Sequence, residues 1–312
     1  MTSNKKNQDK LIVITGPTAS GKTSLASRIA YNIDSEIISA DSRQIYKGMD
    51  IGTGKDLDDY IVNQKLIPYH LIDILDPKQN YSVYDFQKDF YNAYQKIRLK
   101  NKVPILCGGT GLYIESTLLK YDLSTKPAPN ENLRASMENL EKDDLLKHLY
   151  TITSEKQRSG LLIDTRKQII RNIEILKSSS NSIGFKMKPM NDNAIVFVTN
   201  VDTEVLRQKI KQRLISRINE GMIAEVKGLI DHGLPIERLD YFGLEYKFVA
   251  QYLKNEISKE LLITSLTTAI RKFAKRQRTW FRRMEKRGVN INWIEPHDYN
   301  KIKILINQYI ES

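Results

Sequence analysis

The stretch Gly16-Pro17-Thr18-Ala19-Ser20-Gly21-Lys22-Thr23 constrains this chain more than any other. It fits the pattern G-x-x-x-x-G-K-[ST] without a gap. It follows an apolar run that reads as a buried strand, Leu11 to Thr15. It opens a stretch that reads as a helix, Ser24 to Tyr31, with Leu25, Ile29 and Ala30 apolar. Strand, glycine loop and helix in that order are the context that makes the pattern a phosphate cradle. Glycines let the backbone wrap close to phosphate oxygens, and successive N–H groups at a helix N-terminus point at the anion. Lys22 adds a full positive charge, and the Thr23 hydroxyl suits a Mg²⁺ ligand. Gly16 to Thr23 are therefore read as binding a di- or triphosphate. The loop alone does not name a reaction, because kinases, NTPases and some transferases share it.

Further short apolar runs follow: Glu36 to Ala40, His70 to Leu75, Val103 to Cys107 and Ala194 to Thr199. Asp85 to Lys100 between them reads as a helix, with Phe86, Phe90, Ala93, Tyr94 and Ile97 on one face. Strands alternating with helices predict an α/β fold, a P-loop NTPase-like parallel sheet flanked by helices. The segment 122–193 breaks the rhythm. It opens on the Pro-rich link Lys126-Pro127-Ala128-Pro129 and continues polar and helical, with turns at Ser178 to Ser182 and at Pro189. It reads as a mainly helical insertion domain within a core made of 1–121 and 194–312. From Asp202, a candidate N-cap for a helix over Thr203 to Asn219, the chain is mostly helical. No internal repeat is visible.

Leu261 to Arg287 reads as a long two-faced helix. Leu262, Leu266, Ala269, Ile270, Phe273, Gln277, Trp280, Phe281 and Met284 recur at helical spacing. Opposite them stand Arg271, Lys272, Lys275, Arg276, Arg278, Arg282, Arg283, Lys286 and Arg287, with Glu285 the one acid between Arg271 and Arg287. A solvated face normally mixes signs, so a run of one sign favours contact with a phosphate backbone. The whole chain carries 49 Lys and Arg against 37 Asp and Glu, a net +12. Such a balance fits either a polyanionic partner or solubility alone. No stretch is long and apolar enough to span a membrane, and the polar start, Met1 to Lys10, does not read as a secretory signal. Cys107 is the single cysteine. It excludes an intramolecular disulfide and a zinc knuckle, suits a reducing cytoplasm, and reads as a small core residue.

Two strand ends carry further polar groups. Asp41 follows Glu36 to Ala40 and opens Ser42-Arg43-Gln44-Ile45-Tyr46-Lys47-Gly48-Met49-Asp50-Ile51-Gly52-Thr53-Gly54. Ligands of open α/β sheets lie at the carboxyl ends of strands, which would set Asp41 near the cradle. A carboxylate there binds Mg²⁺ or accepts a proton from a nucleophile, although a turn aspartate is an equal reading. Val103 to Cys107 runs into Gly108-Gly109-Thr110-Gly111-Leu112-Tyr113, read as a tight turn or as a close approach to ligand with Thr110 towards the crevice. No clear Walker-B acid ends that strand; Asp73 is a weaker candidate.

In these residues the sequence resembles the tRNA dimethylallyltransferase (isopentenyltransferase) family. The cradle, Asp41 to Thr53, His70-Leu71-Ile72-Asp73-Ile74, Gly108 to Tyr113 and Ala274-Lys275-Arg276-Gln277-Arg278-Thr279-Trp280-Phe281 carry the likeness in the family's order. Asp164-Thr165-Arg166 leading into Arg171-Asn172-Ile173-Glu174 adds to it. The resemblance implies that the adenosine 3′ of the anticodon is flipped out of its stack. Its N6 amine would attack C1 of dimethylallyl diphosphate, and diphosphate would leave. It further implies Asp41 as general base, Thr110 beside the reacting centre, and Arg213 on the diphosphate. Asp41, Ser42, Arg43, Gln44 and Thr110 would meet the tRNA, as would Arg134 and Lys167, Gln168, Ile169, Ile170 and Arg171 of the insert, and Lys275, Arg276 and Arg278. Mg²⁺, a cytoplasmic location and a monomeric state are the accompanying expectations. The sequence departs from the family at Gly243-Leu244-Glu245-Tyr246-Lys247, where members commonly show Gly-Tyr-Lys/Arg-Glu. It has no Cys pair for the zinc finger of eukaryotic members, and so looks bacterial in type. The rival readings are a P-loop kinase of a nucleotide or small metabolite, an isopentenyltransferase of free adenine nucleotide, and a nucleotide-sensing RNA-binding switch.

Overall fold

The computed structural model describes residues 9–119, 121, 130–158, 161, 163–178, 188–295 and 297–312. The polar start up to residue 8, the Pro-rich link 126–129 and the turn residues 179–182 lie outside the described residues. Along the chain come β1 (Leu11–Thr15), α1 (Lys22–Asn32), β2 (Ile37–Ser39), a small hairpin of β3 (Ile61–Val62) and β4 (Lys65–Leu66), and β5 (Tyr69–His70). Then follow α2 (Val83–Leu99), β6 (Ile105–Gly108), α3 (Gly111–Leu118), α4 (Glu131–Ser136), α5 (Lys142–Thr151), α6 (Glu155–Arg158) and α7 (Arg166–Lys177). The remainder is β7 (Ala194–Thr199), α8 (Thr203–Asn219), α9 (Met222–Asp231), α10 (Leu244–Leu253), α11 (Lys259–Lys286), β8 (Ile291–Ile294) and α12 (Tyr299–Glu311).

The main sheet has six parallel strands in the order β5-β2-β6-β1-β7-β8. Each change of strand crosses over through other elements, as parallel pairing requires. Every residue of β1 is buried, so both faces are covered, which is why the run is apolar throughout rather than alternating. Ile12 and Ile14 of β1, with Ile105 and Cys107 of β6, meet Leu25 and Ile29 of α1 and Ile302 and Ile306 of α12. Cys107 is a core residue there, its thiol pushed up to about 12 by burial.

The apolar run over residues 70–75 is strand only at its start. Leu71 and Asp73 have φ of 64° and 56°, so the chain turns away directly after His70. The edge strand β8 was not anticipated. Its sequence, Ile-Asn-Trp-Ile, is too short and mixed to stand out, yet it pairs with β7 from Val196↔Ile291 to Thr199↔Ile294. The expected N-cap Asp202 accepts from the backbone of Glu204 and Val205. A second core joins α8, α9, α10 and α11, with Ile210, Leu214, Val226, Tyr246, Leu262, Leu266 and Ile270 fully or nearly buried.

The chain divides into two compact units, Met1–Tyr121 with Lys188–Ser312, and Asp122–Met187. Residues 188–193, read from the sequence with the insert, group with the first unit. Met190 is buried and donates its N–H to the Thr117 carbonyl at 3.1 Å, and Lys188 lies 3.8 Å from Asp9. The second unit has its own small core of Met137, Leu145, Leu149, Ile169 and Ile173. Thr165 and Gln168 form a capping box that starts α7. Beside that core the buried Glu174 carboxylate accepts from Arg134 Nε at 2.6 Å and Nη2 at 3.1 Å. It also accepts from Arg171 Nη1 at 2.9 Å and from the Asn130 N–H at 3.0 Å.

Burial alone would raise the Glu174 carboxyl, but the bonds from Arg134 and Arg171 outweigh it and hold the group below its ordinary value. Its contribution is therefore fully present above the ordinary glutamate value of about 4.3. It is lost as pH falls through the lower folded value. Glu174→Ala is expected to destabilise this unit by about 1–3 kcal/mol, less than for a fully buried pair because both arginines keep some solvent. Hydrogen exchange over residues 130–177 at neutral pH checks this, and the difference from wild type should shrink in strong acid.

Candidate active site

The carboxyl ends of β1, β6 and β2 open into one cavity of about 1010 Å³. From the loop after β1, Thr18, Ala19, Gly21, Lys22 and Thr23 line it. Gly21 has φ of 79°, a conformation that glycine takes at little cost, and it precedes α1 with no side-chain cap. The first N–H groups of α1 thus keep the polarity that favours an anion. The rest of the motif works from behind. Gly16 lets the Thr199 side chain close in where a Cβ would stand. Ser20 is fully buried and its hydroxyl meets that of Thr199 at 2.6 Å, so Ser20 braces the loop rather than presenting its hydroxyl to a ligand.

Burial holds the Lys22 ammonium below its ordinary value, and the Arg213 charge adds to this against the opposing pull of Asp41 and Asp56. Arg213, assigned from resemblance alone, does line the cavity from α8. It is ion-paired with Asp56, and Arg217, one helical turn on, reaches the same carboxylate at 3.3 Å. Burial alone would raise the Asp56 carboxyl, but Arg213 and Arg217 keep it below its usual range.

Asp41 lines the cavity just past β2 and accepts from the Arg43 N–H at 3.0 Å. It is thus both the turn aspartate and a carboxylate facing the crevice. Thr110 Oγ1 accepts from the Ser42 N–H at 3.0 Å, and the Thr110 N–H donates to the Ala40 carbonyl at 3.1 Å. Gly108 makes this lacing possible, since a Cβ there would run into the Ala40 backbone. The glycine turn therefore serves a backbone approach as well as a change of direction. Gln44 donates from Nε2 to the Gly54 carbonyl at 3.0 Å and takes the Ser39 hydroxyl on Oε1 at 3.1 Å. Arg43 bonds the Tyr241 carbonyl and lies over that ring. Asp73, the weak Walker-B candidate, is held by the buried Lys55 and does not line the cavity.

Several residues of the site escaped the sequence reading. Gln277, which helical spacing sets on the apolar face, bridges the two loops: Oε1 accepts from the Thr18 N–H at 2.9 Å and Nε2 donates to the Gly109 carbonyl at 2.8 Å. Trp280 packs where a Cβ of Gly111 would stand, with Arg283 over its ring at 4.0 Å. Phe273 also lines the cavity. A polar residue in an apolar seam was the one signal for Gln277, and i,i+4 spacing from Arg213 was the signal for Arg217. Asp56 and Glu245 gave none. Glu245 stands in the stretch that departs from the family pattern; burial pushes its carboxyl up.

The basic face of α11 is not uniform. Arg283 and Arg287 pair with the fully buried Glu115. Arg278 donates to Asn200 Oδ1 at 2.8 Å and Thr203 Oγ1 at 3.0 Å, so it ties α11 to the end of β7. Lys275 and Arg276 are exposed, and Arg276 also lines the cavity. In the second unit Lys167 is exposed, while Ile170 is half-buried against the core. Gln168 caps its own helix, and Arg134 and Arg171 are bound to Glu174. Ile169 is fully buried in that core, so its side chain is not an RNA contact. Among the described residues no group of three His, Cys, Asp or Glu side chains could hold a metal ion. No described helix is long and apolar enough to cross a membrane.

Cradle, strand order and crevice together define a P-loop NTPase-like α/β fold. The family model described as IPP transferase matches residues 44–284, and that described as isopentenyl transferase matches residues 9–67. The chain is 48% identical over 286 residues to tRNA dimethylallyltransferase 2 of Phocaeicola vulgatus, covering 91% of this chain and 92% of the relative. It is 47% identical over 291 residues to tRNA dimethylallyltransferase 1 of Parabacteroides distasonis, covering 92% of each. The crystal structure of a tRNA isopentenylpyrophosphate transferase from Bacillus halodurans superposes with a TM-score of 0.70 at 30% identity, over 97% of both chains. The chain belongs to the IPP transferase family.

An anion bound beside Lys22 stabilises the ammonium and raises its pKa towards the ordinary value. Binding of inorganic diphosphate should therefore take up protons between the lowered value of the free protein and the raised value of the complex, and weaken as pH rises through the former. Calorimetric titration in two buffers of different ionisation enthalpy measures that uptake. Uptake should vanish in Lys22→Met.

Proposed function

We propose that this protein transfers a dimethylallyl group from dimethylallyl diphosphate to the N6 amine of the adenosine 3′ of the anticodon in tRNA. One observation carries the reading: the cradle cation Lys22, Arg213 and the carboxylate of Asp41 share a single cavity. A cradle for the leaving diphosphate and a base for the attacking amine are what such a transfer needs.

In the proposed step the N6 nitrogen forms a bond to C1 of the donor. The C1–O bond breaks, and its electron pair leaves with the diphosphate. Asp41 accepts the proton released from the amine. Lys22, the N-terminus of α1 and Arg213 stabilise the negative charge that gathers on the leaving group, from positions fixed before the reaction begins. Thr110, held to Ser42 and Ala40, fixes the wall beside the reacting centre.

The donor set suits Mg²⁺, which favours oxygen ligands and keeps several waters, so that one or two protein oxygens and the substrate phosphates suffice. The Thr23 hydroxyl offers such an oxygen beside the cradle. When bound, the ion would neutralise diphosphate charge.

A chain of this charge meets tRNA first through phosphates. Lys275 and Arg276 of α11 and Lys167 of the second unit are the exposed cations of the expected contact set, whereas Ser42, Arg43, Gln44 and Thr110 line the cavity that would receive the flipped base. Flipping suits the chemistry because the amine is otherwise held in a stacked loop.

The reading is tested by mixing the protein, Mg²⁺, radiolabelled dimethylallyl diphosphate and unmodified tRNA, and counting label in precipitated RNA. Label should enter the RNA, and chelation of Mg²⁺ should abolish it. Phosphate release from ATP with no labelled RNA would refute the proposal in favour of a kinase. Asp41→Ala should keep diphosphate and tRNA binding yet lose turnover by about 10²–10⁴-fold. Normal turnover in that variant would remove Asp41 from its role.

A further inference from the structure

Glu225 on α9 takes no part in the transfer proposed above, yet its carboxylate is fully engaged. Oε2 accepts from the backbone N–H groups of Asp50 and Ile51, both at 2.7 Å, and Oε1 accepts from the Gly52 N–H at 3.0 Å and the Tyr246 hydroxyl at 2.7 Å. Successive backbone N–H groups converging on one anion form a nest, the arrangement that elsewhere binds free phosphate. Here a carboxylate of the chain itself fills it. The Tyr246 ring closes the other side, because a Cβ on Gly52 would come within 2.7 Å of that ring.

The turn held in this way carries two groups into the cavity. The Gly54 carbonyl receives the Gln44 amide, and Asp56 pairs with Arg213 and Arg217. Gly54 also lets Arg217 pass where a Cβ would stand. Between them Lys55 is buried and pinned to Asp50, Asp73 and the Tyr46 carbonyl. The turn is therefore fastened on both sides of its cavity-facing segment.

We infer that Glu225 is a positioning residue for the anion clamp. Through the nest over residues 50–52 it fixes the turn, the turn fixes Asp56, and Asp56 holds the guanidinium groups of Arg213 and Arg217 beside Lys22. The inference rests on the reading of the cavity as the donor diphosphate site. Loss of the carboxylate leaves three backbone donors and a tyrosine hydroxyl without their acceptor. The turn then relaxes, and the arginines lose a fixed counter-ion rather than a ligand contact.

Calorimetric titration of inorganic diphosphate tests this on wild type, Glu225→Ala, Glu225→Gln, Tyr246→Phe, Asp56→Ala and the Glu225→Ala/Asp56→Ala double variant, each with its melting temperature. Wild type should bind diphosphate. Glu225→Ala should weaken binding by about 10- to 100-fold, the scale of loss when a residue supporting a metal ligand is removed. Glu225→Gln should recover part of the loss, because its carbonyl still accepts from the nest. The double variant should be no weaker than the worse single variant, as expected for two residues acting along one path. In steady-state assays KM for the donor should rise while KM for tRNA stays near the wild-type value. Folded Glu225→Ala with wild-type diphosphate affinity would overturn the inference, as would losses that simply multiply in the double variant. If Glu225→Ala does not fold, reduced affinity in Glu225→Gln or Tyr246→Phe supports the inference, and unchanged affinity in both overturns it. Wild type failing to bind diphosphate would sink the donor-site reading itself. Binding by wild type with the variants unaffected would sink the clamp alone.

Discussion

The register of three parallel strands governs this molecule. Thr15 of β1 stands level with Gly108 of β6, and Cys107 of β6 with Ser39 of β2. The three strands end on one edge, so the loops that leave them must share a crevice. The phosphate cradle, Asp41 and the Gly109-Thr110 turn come from distant parts of the chain and meet for that reason alone. The glycine at 108 keeps the meeting close, because any side chain there would push the β2 end away.

Around that edge the helices distribute charge. Cations gather where a diphosphate would sit: Lys22 at the start of α1, and Arg213 and Arg217 on successive turns of α8. Lys22 and Arg213 are made less comfortable as cations, chiefly by burial, and an arriving anion relieves that. Asp56 keeps the arginines in place meanwhile. On α11 a single amide, Gln277, ties the cradle to the glycine turn with two hydrogen bonds, so that the long helix braces the site as well as carrying charge. Its arginines divide between holding Glu115 and Asn200 and facing solvent, which is why a one-signed stripe in sequence overstates the cationic surface.

The cradle, the parallel sheet and the crevice were legible in the sequence because each rests on local signals: an apolar run, a glycine pattern, a helical period. Asp41 was legible because it directly follows a strand. Arg213 was found only through the family likeness, since nothing local separates it from a surface arginine. Asp56 was invisible, for its role depends on a left-handed backbone at φ 42° and on a helix far along the chain. Ile169 was misplaced because position within a motif does not tell which face of a helix turns inward; its apolar character did. The strand β8 was missed because an edge strand needs only a few residues and borrows its order from β7. The turn over residues 50–56, by contrast, showed its glycines plainly but not the Glu225 that holds them.

In the proposed reaction one cavity holds the leaving diphosphate and the attacking amine together. A crystal structure of the protein with an anticodon stem-loop and an unreactive thiolodiphosphate analogue of the donor tests it most directly. The diphosphate should lie between Lys22 and Arg213, with the target adenosine flipped out of its stack and its N6 amine about 2.6–3.2 Å from the Asp41 carboxylate. Diphosphate bound away from the cradle, or an adenosine still stacked in its loop while the donor site is filled, would contradict it.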